Sequence, residues 1–468
     1  MNTRFRYISL FLLVGLVAAM FFSCNRFNPA DKILITRVPT DAQNAKSSNN
    51  EAHFPEGAMI TIVDPQKPAS LKVLTGDFNS AFGPDVSWDG KTMVFTARKN
   101  QDDPWQIWEM DLRSQKSRKV TESTENCVDP VYLPLDRIVY SQQVNGKIEH
   151  FALFTCNIDG SEPKQVTFHP HSNFGTIVMQ DGRLLTISSG IFPAKQDPMI
   201  MVMRPDGTKA DYFYQGGSGK FFVGRAREKH DQIYFIEADS TGKAGDIISV
   251  MYNRPANCQN ITSGIDGSFN AVIPLNDYRM LVSYRNNQNE PFGLFEFDGT
   301  TRELGKQILS MGDANIFDAV AIEVHERPKK LPSEVDMGVK TGLLLCQNIN
   351  FTGMGISDFS DNQKAYKIEI VGIDSSLGIV DVEEDGSFYL KVHADQPFRI
   401  RTLDQSNKVM NQGSAWIWLR PNERRGCIGC HEDRELAPEN VVPLAVKKSP
   451  VSVPVMISNI HEKEVELE

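Results

Sequence analysis

The feature that most constrains this chain is a repeat in which a polar turn precedes a short apolar strand. The turn recurs at intervals of roughly 45 to 50 residues, and a second apolar strand follows each first one after a polar loop. The five first strands begin after Asp89-Gly90, Asp136, Asp181-Gly182, Asp231 and Asp277. A period of this length with four strands per unit is typical of β-propeller blades. We therefore predict an all-β fold built around a propeller.

Two leftover segments predict how the ring of blades closes. Phe317–Val324 has the pattern of an innermost strand, whereas Ala58–Val63 and Leu71–Leu74 have the pattern of outer strands. Joining the two ends of the repeat in one blade would remove the open edges of the ring. The prediction is a six-bladed propeller over residues 58–330, with seven blades as the alternative.

Two turn sequences carry a first resemblance. Ser87-Trp88-Asp89-Gly90 and Asn157-Ile158-Asp159-Gly160 resemble the repeats of TolB-like propellers. The resemblance implies an architecture rather than an activity. A glycine-rich stretch, Gly216–Lys220, lacks the spacing of a phosphate-binding loop and is interpreted as a loop between strands. The pair His169 and His171 is interpreted as part of a solvated loop, with a metal site as the alternative.

Proline and charged residues at 327–333 interrupt the repeat and predict a domain boundary. Residues 331–468 are then predicted to form a small β-sandwich, with a hairpin turn at Glu384-Asp385-Gly386. The predicted strands are Thr341–Cys346, Ala365–Val371, Gly378–Val382, Ser387–Val392, Phe398–Leu403 and Ala415–Leu419. Trp416 and Trp418 lie on one face of the last strand, where we expect them in the sandwich core or in the wall of a cofactor pocket.

The sequence Cys427-Ile428-Gly429-Cys430-His431 follows directly. Cys-x-x-Cys-His is the spacing at which two thiols bind the vinyl groups of one haem and the imidazole reaches its iron. A thioredoxin-type site would need a βαβ unit, and a zinc site most simply a second Cys-x-x-Cys, which the sequence lacks. We predict one covalent haem c, with thioethers at Cys427 and Cys430 and with His431 on the iron.

The N-terminus predicts the compartment. Arg4 and Arg6 precede an apolar run that ends before Cys24, as in a bacterial lipoprotein signal over residues 1–24, although an uncleaved signal anchor remains an alternative. Residues 25–57 are predicted to be a polar tether. The protein is then expected on the bacterial cell envelope, held by a lipid on Cys24 and facing the periplasm or the cell exterior. The net charge of −10 argues against nucleic acid as a partner.

Four further cysteines remain after Cys24 and the haem motif are assigned. They are Cys127, Cys156, Cys258 and Cys346. Disulfides form outside the cytoplasm, but spacing alone cannot show which cysteines pair. We predict that most of the four are buried thiols, because cysteine is among the most buried residue types.

A second resemblance covers nearly the whole mature chain, and most of the motifs that carry it lie in the C-terminal part. Lys340–Cys346, Asp385–Phe388, Trp416–Pro421 and Glu423–Glu432, placed in this order after a propeller, resemble the alpha subunit of hydrazine synthase. The resemblance implies a haem protein and covers the propeller and the haem-bearing middle domain. The family subunit continues into a further multi-haem domain. Glu435 occupies the position at which the family has an iron-binding tyrosine, so the axial ligation is expected to differ.

Three functions are compatible with these features. The first is a lipid-anchored monohaem c-type protein that transfers electrons or docks a redox partner through its propeller. The second is a haem enzyme acting on a small nitrogen or oxygen species, as the resemblance implies. The third is a haem-free interaction lipoprotein. Weak or absent sixth ligation of the iron is expected, and the candidate ligands are His393, Met410, Glu435, Met456 and His461.

Overall fold

The computed structural model describes residues 28–40, 54–190, 192–193, 197–239, 245–276, 278–351, 364–413, 415–429 and 441–454. Strands dominate this part of the chain, together with a short 3-10 helix at Leu444–Lys447. No helix among these residues is long and apolar enough to cross a membrane. The chain is thus all-β where it is described, as predicted.

The first twenty-four strands cover residues 33–321. They are β1 Ile33–Pro39, β2 Met59–Asp64, β3 Lys67–Val73, β4 Ser80–Val86, β5 Thr92–Arg98, β6 Gln106–Asp111, β7 Ser117–Lys119, β8 Cys127–Leu133, β9 Arg137–Val144, β10 His150–Asn157, β11 Lys164–Gln165, β12 His171–Val178, β13 Leu184–Gly190, β14 Met199–Met203, β15 Asp211–Gln215, β16 Lys220–Lys229, β17 Gln232–Asp239, β18 Gly245–Met251, β19 Arg254–Asn260, β20 Ser268–Asn276, β21 Arg279–Arg285, β22 Gly293–Asp298, β23 Glu303–Leu309 and β24 Ala314–Ala321.

These strands form four-stranded antiparallel sheets arranged in a ring. Five sheets each take four consecutive strands, from β4–β7 to β20–β23, and the remaining sheet has the order β24-β1-β2-β3. The first strands contact one another in the cyclic order β4, β8, β12, β16, β20, β24 and back to β4. The sheet formed from both ends of this region, here named the closing sheet, completes the ring. The architecture is that of a β-propeller, as predicted.

Strand β1 departs from the sequence prediction. Residues 25–57 were predicted to be a polar tether, yet Ile33–Pro39 is a strand that pairs antiparallel with both β2 and β24. Ile33, Leu34 and Ile35 are buried, so this segment belongs to the propeller core. The prediction is wrong for these residues because a single short apolar run inside a polar stretch shows no repeat by itself.

A separate apolar cluster lies between each pair of neighbouring sheets. Leu34 and Ile62 of the closing sheet pack against Phe95 of the next sheet, and Ile35 packs on the other side against Leu281. Four further clusters join the remaining neighbours around the ring. The second strands are therefore buried on both faces, which accounts for the continuous apolar run that follows each predicted turn.

The turns that signalled the repeat have the backbone geometry that their residues favour. Gly90, Asp136, Gly182, Asp231 and Tyr278 all have positive φ, at 67°, 54°, 89°, 62° and 65°. Each lies between the first and second strand of its sheet. Glycine and aspartate are favoured at such positions in tight hairpins, whereas Tyr278 is a bulky exception. A Cβ at Gly182 would also overlap the carbonyl oxygen of Lys329, so the linker to the next domain requires a glycine there.

Charged side chains cross the axis of the ring. Nη2 of Arg225, on β16, lies 3.4 Å from the carbonyl oxygen of Gly83 on β4 and 3.6 Å from the Asp129 carboxylate on β8. The other oxygen of Asp129 accepts a hydrogen bond of 3.1 Å from the amide of Gly175 on β12. Arg227 pairs with Asp318 of the closing sheet at 3.0 Å. The first strands are thus tied together across the axis as well as around it.

The segment between β24 and the second domain runs over the propeller turns. The ring of His325 packs edge-on against Trp88 at 5.2 Å between centroids. The amide of Lys329 donates to the carbonyl of Gln180 at 3.0 Å, and the amide of Glu334 donates to Asp206 at 2.9 Å. The linker is therefore held against the propeller along its length.

The second domain is a sandwich of two four-stranded sheets, with the orders β31-β25-β28-β32 and β27-β26-β29-β30. Its strands are β25 Thr341–Cys346, β26 Lys367–Val371, β27 Ser376–Asp381, β28 Phe388–His393, β29 Arg399–Leu403, β30 Val409–Asn411, β31 Arg424–Cys427 and β32 Val451–Ser452. Leu344 and Leu390 of one sheet face Ile368 and Ile370 of the other in a single core.

Residues 415–419 do not form the predicted strand. The only pairing described there is one antiparallel bridge between Phe398 and Ile417. Trp416 and Trp418 turn toward the propeller, so the expectation that they lie in the sandwich core is wrong, whereas the alternative, the wall of a cofactor pocket, stays a prediction. Their burial comes from another domain, which alternation within one segment cannot reveal.

We expect Ile35→Ala to destabilise the propeller, because Ile35 is fully buried between the closing sheet and its neighbour. Deleting most of a buried isoleucine side chain costs about 2–5 kcal/mol of unfolding free energy. Leu71→Ala on the exposed strand β3 is the control and should change that free energy by no more than about 0.5 kcal/mol. Urea unfolding measures both, and equal midpoints for the two variants would contradict the role given to β1.

Candidate functional site

The first haem-motif cysteine lies on the strand β31, here named the attachment strand. This strand is the edge of its sheet and pairs in parallel with β25, with Cys427 opposite Cys346. Cys427 is partly exposed and packs against the sandwich core, whereas Cys346 is buried. An edge strand leaves one side of the chain open, so a group bound to Cys427 can approach from outside the sheet.

The backbone between the two motif cysteines is fixed by the loop that follows β25. The amide of Gln347 donates to the carbonyl of Cys427 at 2.9 Å, and the amide of Asn348 donates to that of Ile428 at 3.0 Å. A Cβ at Gly429 would overlap the carbonyl oxygen of Phe351, so the second spacer position requires a glycine. The motif therefore leaves the sheet in one defined direction.

The rest of the predicted haem site lies outside the described residues. This holds for Cys430, His431 and Glu435, for the tail candidates Met456 and His461, and for the predicted lipidation site Cys24. The chain is described again from residue 441, where the amide of Leu444 donates to Asp385 at 2.7 Å and β32 pairs with β28. The attachment strand and β32 are opposite edges of one sheet, so the described residues on both sides of 430–440 are anchored.

Two candidates for a sixth ligand are placed away from Cys427. His393 is exposed and pairs with Thr341, whereas Cys427 aligns with Cys346 at the other end of β25. The two pairs lie five positions apart along β25, which is a distance of about 17 Å at the usual rise per residue. Met410 is exposed on β30 of the opposite sheet. The structure does not bring either side chain to the attachment strand.

A buried carboxylate that sequence reasoning missed connects the attachment strand to both domains. The side chain of Glu423 is fully buried, and its Oε1 accepts hydrogen bonds from Nε and Nη2 of Arg425 at 3.0 and 2.8 Å. Oε1 also accepts from the amide of Lys209 on the propeller at 2.7 Å, and Oε2 accepts from the amide of Arg420 at 2.8 Å. One side chain therefore fixes three segments.

Arg420 makes the second polar connection between the domains. Its Nε donates to the carbonyl of Asp206 on the propeller at 2.9 Å, and its Nη1 pairs with Asp395 at 2.6 Å. The guanidinium lies 4.7 Å from the ring centroid of Phe168. Burial raises the pKa of the Asp395 carboxyl, while the charge of Arg420 and their hydrogen bond act in the opposite direction.

The two tryptophans form the apolar part of this contact, here named the seam. Trp418 belongs to the cluster between the sheets β8–β11 and β12–β15, and its ring lies 4.8 Å from that of His169. Trp416 stacks on Phe192 at 6.1 Å and donates from Nε1 to the carbonyl of Phe192 at 3.1 Å. The attachment strand is therefore held to the propeller by packing as well as by hydrogen bonds.

The predicted solvated histidine loop is instead buried at the seam. His169 and His171 are 1% and 3% exposed, with ring centroids 5.1 Å apart. Burial and the nearby His150 lower the pKa of His171 to about 4, and burial with both neighbouring imidazoles lowers the pKa of His169 well below its usual value. The loop prediction is wrong because Trp418, more than two hundred residues away in sequence, covers it.

The remaining sequence candidates have structural roles or none that is visible. Burial raises the pKa of the Cys127 and Cys156 thiols to about 12, so both are unreactive. Cys346 is buried like Cys127 and Cys156, and Cys258 is exposed, so most of the four cysteines are buried, as predicted. Gly216–Lys220 joins β15 to β16 as a loop between sheets. Among the described residues, no three side chains of His, Cys, Asp or Glu are arranged to hold a metal ion.

The fold and the site define a propeller protein whose C-terminal sandwich presents a Cys-x-x-Cys-His segment at a sheet edge. Residues 345–432 match the family described as hydrazine synthase alpha subunit middle domain. Hydrazine synthase subunit alpha of Kuenenia stuttgartiensis is 22% identical over 536 aligned positions, which cover 86% of this chain and 66% of that protein. The chain is hydrazine synthase alpha subunit-like, as its motifs predicted.

One solved structure supports the fold, and a second shows only a weaker similarity. A Kuenenia stuttgartiensis hydrazine synthase chain has a TM-score of 0.78 and 20% identity, over 90% of this chain and 72% of that one. TolB from Acinetobacter baumannii has a TM-score of 0.44 and 14% identity, over 61% of this chain and 65% of that one. This chain spans 66% of the length of the curated relative.

We expect Glu423→Ala to loosen the attachment strand from the propeller, because it leaves Arg425 and the amides of Lys209 and Arg420 without their acceptor. Removing one member of a buried charged pair costs about 3–5 kcal/mol of unfolding free energy. Glu384→Ala, at an exposed carboxylate of the same sandwich, is the control and should be nearly neutral. Urea unfolding and limited proteolysis of the linker measure the effect, and equal behaviour of the two variants would rule out this role for Glu423.

The pKa of His171 predicts a pH dependence of stability. Its pKa in the folded protein is about 4 against an ordinary value of 6.5, so the unfolded chain takes up this proton first as the pH falls. Stability that is present above pH 6.5 is therefore lost toward pH 4, by up to about 3 kcal/mol. His171→Gln should flatten this slope in urea unfolding at several pH values, while the exposed His393→Gln should not. A slope unchanged in His171→Gln would contradict the assignment.

Proposed function

We propose that this chain carries one covalent haem c and that this haem acts on a small nitrogen or oxygen species. Cys427 and Cys430 would form the thioethers, and His431 would bind the iron. The observation that carries the proposal is a partly exposed cysteine on an edge strand, at the start of a Cys-x-x-Cys-His segment, in a chain similar to hydrazine synthase subunit alpha.

The residue types of the motif fit a haem, and the described residues Cys427 to Gly429 begin it at this edge. Two thiols and one imidazole at this spacing are the donor set of a c-type haem. When bound, the haem would supply an iron centre for redox chemistry or for binding a small ligand. The chain itself would hold the attachment strand rigid: the loop Gln347–Asn348 fixes the carbonyls of the motif, and Glu423 fixes the strand to the propeller.

The propeller would act as the scaffold and docking surface for partner proteins. We take each four-stranded sheet of the ring as one blade, which gives a six-bladed propeller. The relative is named as a subunit, so protein partners are part of the proposal. We further propose that Cys24 is lipidated and anchors the protein to the bacterial cell envelope, facing the periplasm or the cell exterior.

Electron transfer is the second candidate function. It is favoured by the position of Cys427, because a haem on a partly exposed edge strand would keep one edge near solvent, where a redox partner can approach. The two functions differ in the sixth position of the iron. An iron open to exogenous ligands suits an enzyme, whereas a fully ligated iron suits an electron carrier.

We expect Cys427→Ala and Cys430→Ala to lose covalent haem, because each thioether needs its own thiol. Cys258→Ala, at an exposed cysteine far from the motif in sequence, is the control and should keep its haem. A pyridine haemochrome assay after acid-acetone extraction measures covalent haem in the full chain. Both motif variants retaining haem would refute the attachment. In the wild type, a spectral shift on adding carbon monoxide or cyanide supports the enzyme, and no shift supports the electron carrier.

A further inference from the structure

The seam contains an unusual group of buried polar atoms. Among the described residues, none provides a hydrogen-bond partner for Nε2 of His150, His169 or His171, for Oδ1 of Asn173, or for Nε1 of Trp418. All except His150 belong to side chains that are at least 97% buried. Buried donors and acceptors are nearly always paired with protein or with an ordered molecule. Five such atoms on neighbouring segments point to a polar ligand at the seam.

These side chains form one connected set. The ring of His169 contacts those of both His171 and Trp418. Nδ2 of Asn173 donates to the carbonyl of His171 and to that of Phe151, the residue next to His150, at 3.1 Å each. The five side chains therefore belong to neighbouring segments, where the propeller strands β10 and β12 meet the tryptophan segment of the sandwich.

Hydrogen bonds to the other atoms of these side chains fix which of the unpartnered atoms donate. Nδ1 of His169 accepts from the amide of His171 at 3.1 Å, so the proton of the neutral ring is on Nε2. Nδ1 of His150 lies 2.9 Å from the carbonyl of Ile148 and donates to it, so Nε2 of His150 has the lone pair. The indole Nε1 of Trp418 can only donate. The amide oxygen Oδ1 of Asn173 can only accept, and both amide hydrogens of Asn173 are already used.

The set thus offers two donors, two acceptors and Nε2 of His171, which donates or accepts depending on the tautomer of that ring. A metal cation would face the N–H groups of His169 and Trp418, which have no lone pair to give. An anion would face the lone pairs of His150 and Asn173. Only an uncharged molecule that both donates and accepts hydrogen bonds satisfies the whole set. The lowered pKa values of His169 and His171 agree with an uncharged environment.

We propose that the seam beneath Trp418 is a binding site for small uncharged molecules that donate and accept hydrogen bonds, water being the simplest. The site joins the propeller to the segment that leads into the attachment strand. It requires no haem, so its test is independent of the proposed function.

The direct test is a high-resolution crystal structure of the full chain. We expect density for a non-protein atom within hydrogen-bonding distance of Nε2 of His169 and Nε1 of Trp418. Crystals soaked separately in zinc chloride and sodium bromide should show no anomalous peak at the seam. An empty seam would overturn the proposal, and so would a zinc or bromide ion bound there.

Two further measurements test the donor assignment. Nitrogen-15 histidine spectra at neutral pH should show the Nε2–H tautomer for His169 and the Nδ1–H tautomer for His150, and the opposite tautomers would overturn the proposal. Trp418→Phe should remove the occupant facing the indole in the crystal. Trp416→Phe, which loses an indole N–H that already has a partner, should leave that occupant in place. Loss of the occupant in both variants, or in neither, would count against the site.

Discussion

The antiparallel pairing of Ile33–Pro39 with Ala314–Ala321 is the interaction on which the rest of the molecule depends. It joins the two ends of the propeller in one sheet and completes the sequence of apolar clusters around the ring. The linker starts directly after it, with the amide of Ile322 bonded to the carbonyl of Lys32. The chain therefore leaves the closed ring at a fixed point, and this point determines where the sandwich and its attachment strand start.

Between the two domains the stabilising contacts are of two kinds, and they are arranged in sequence order. Trp416 and Trp418 supply apolar packing, Arg420 adds a guanidinium on the propeller backbone, and Glu423 adds a carboxylate that accepts from both domains. The attachment strand follows at once. The haem motif is thus placed by the segment just before it in the chain, and both domains contribute to its orientation.

The sequence allowed the fold to be predicted wherever the signal was local. Turns such as Asp89-Gly90 and the apolar strands after them identified the ring, because backbone geometry and burial within one sheet depend on neighbouring residues. Glu384-Asp385-Gly386 does form a tight turn, but the strands β27 and β28 on either side of it belong to different sheets, so the prediction of a hairpin is wrong. Contacts between the domains could not be predicted. The ring of Trp418 packs on that of His169, but the two residues are too far apart in sequence for a periodic pattern to connect them. Glu423 had no distinguishing pattern, and only the motif itself pointed to this part of the chain.

Arg225 has a thermodynamic consequence. In repeat proteins each unit contacts only its neighbours, so stability is close to a sum of local terms and units can open separately. Here one guanidinium reaches the sheets of Gly83 and Asp129, neither of which is adjacent to its own sheet in the ring, and Arg227 reaches Asp318 beyond the next sheet. Opening one sheet would break contacts with several others. The propeller should therefore unfold as a single cooperative unit rather than blade by blade.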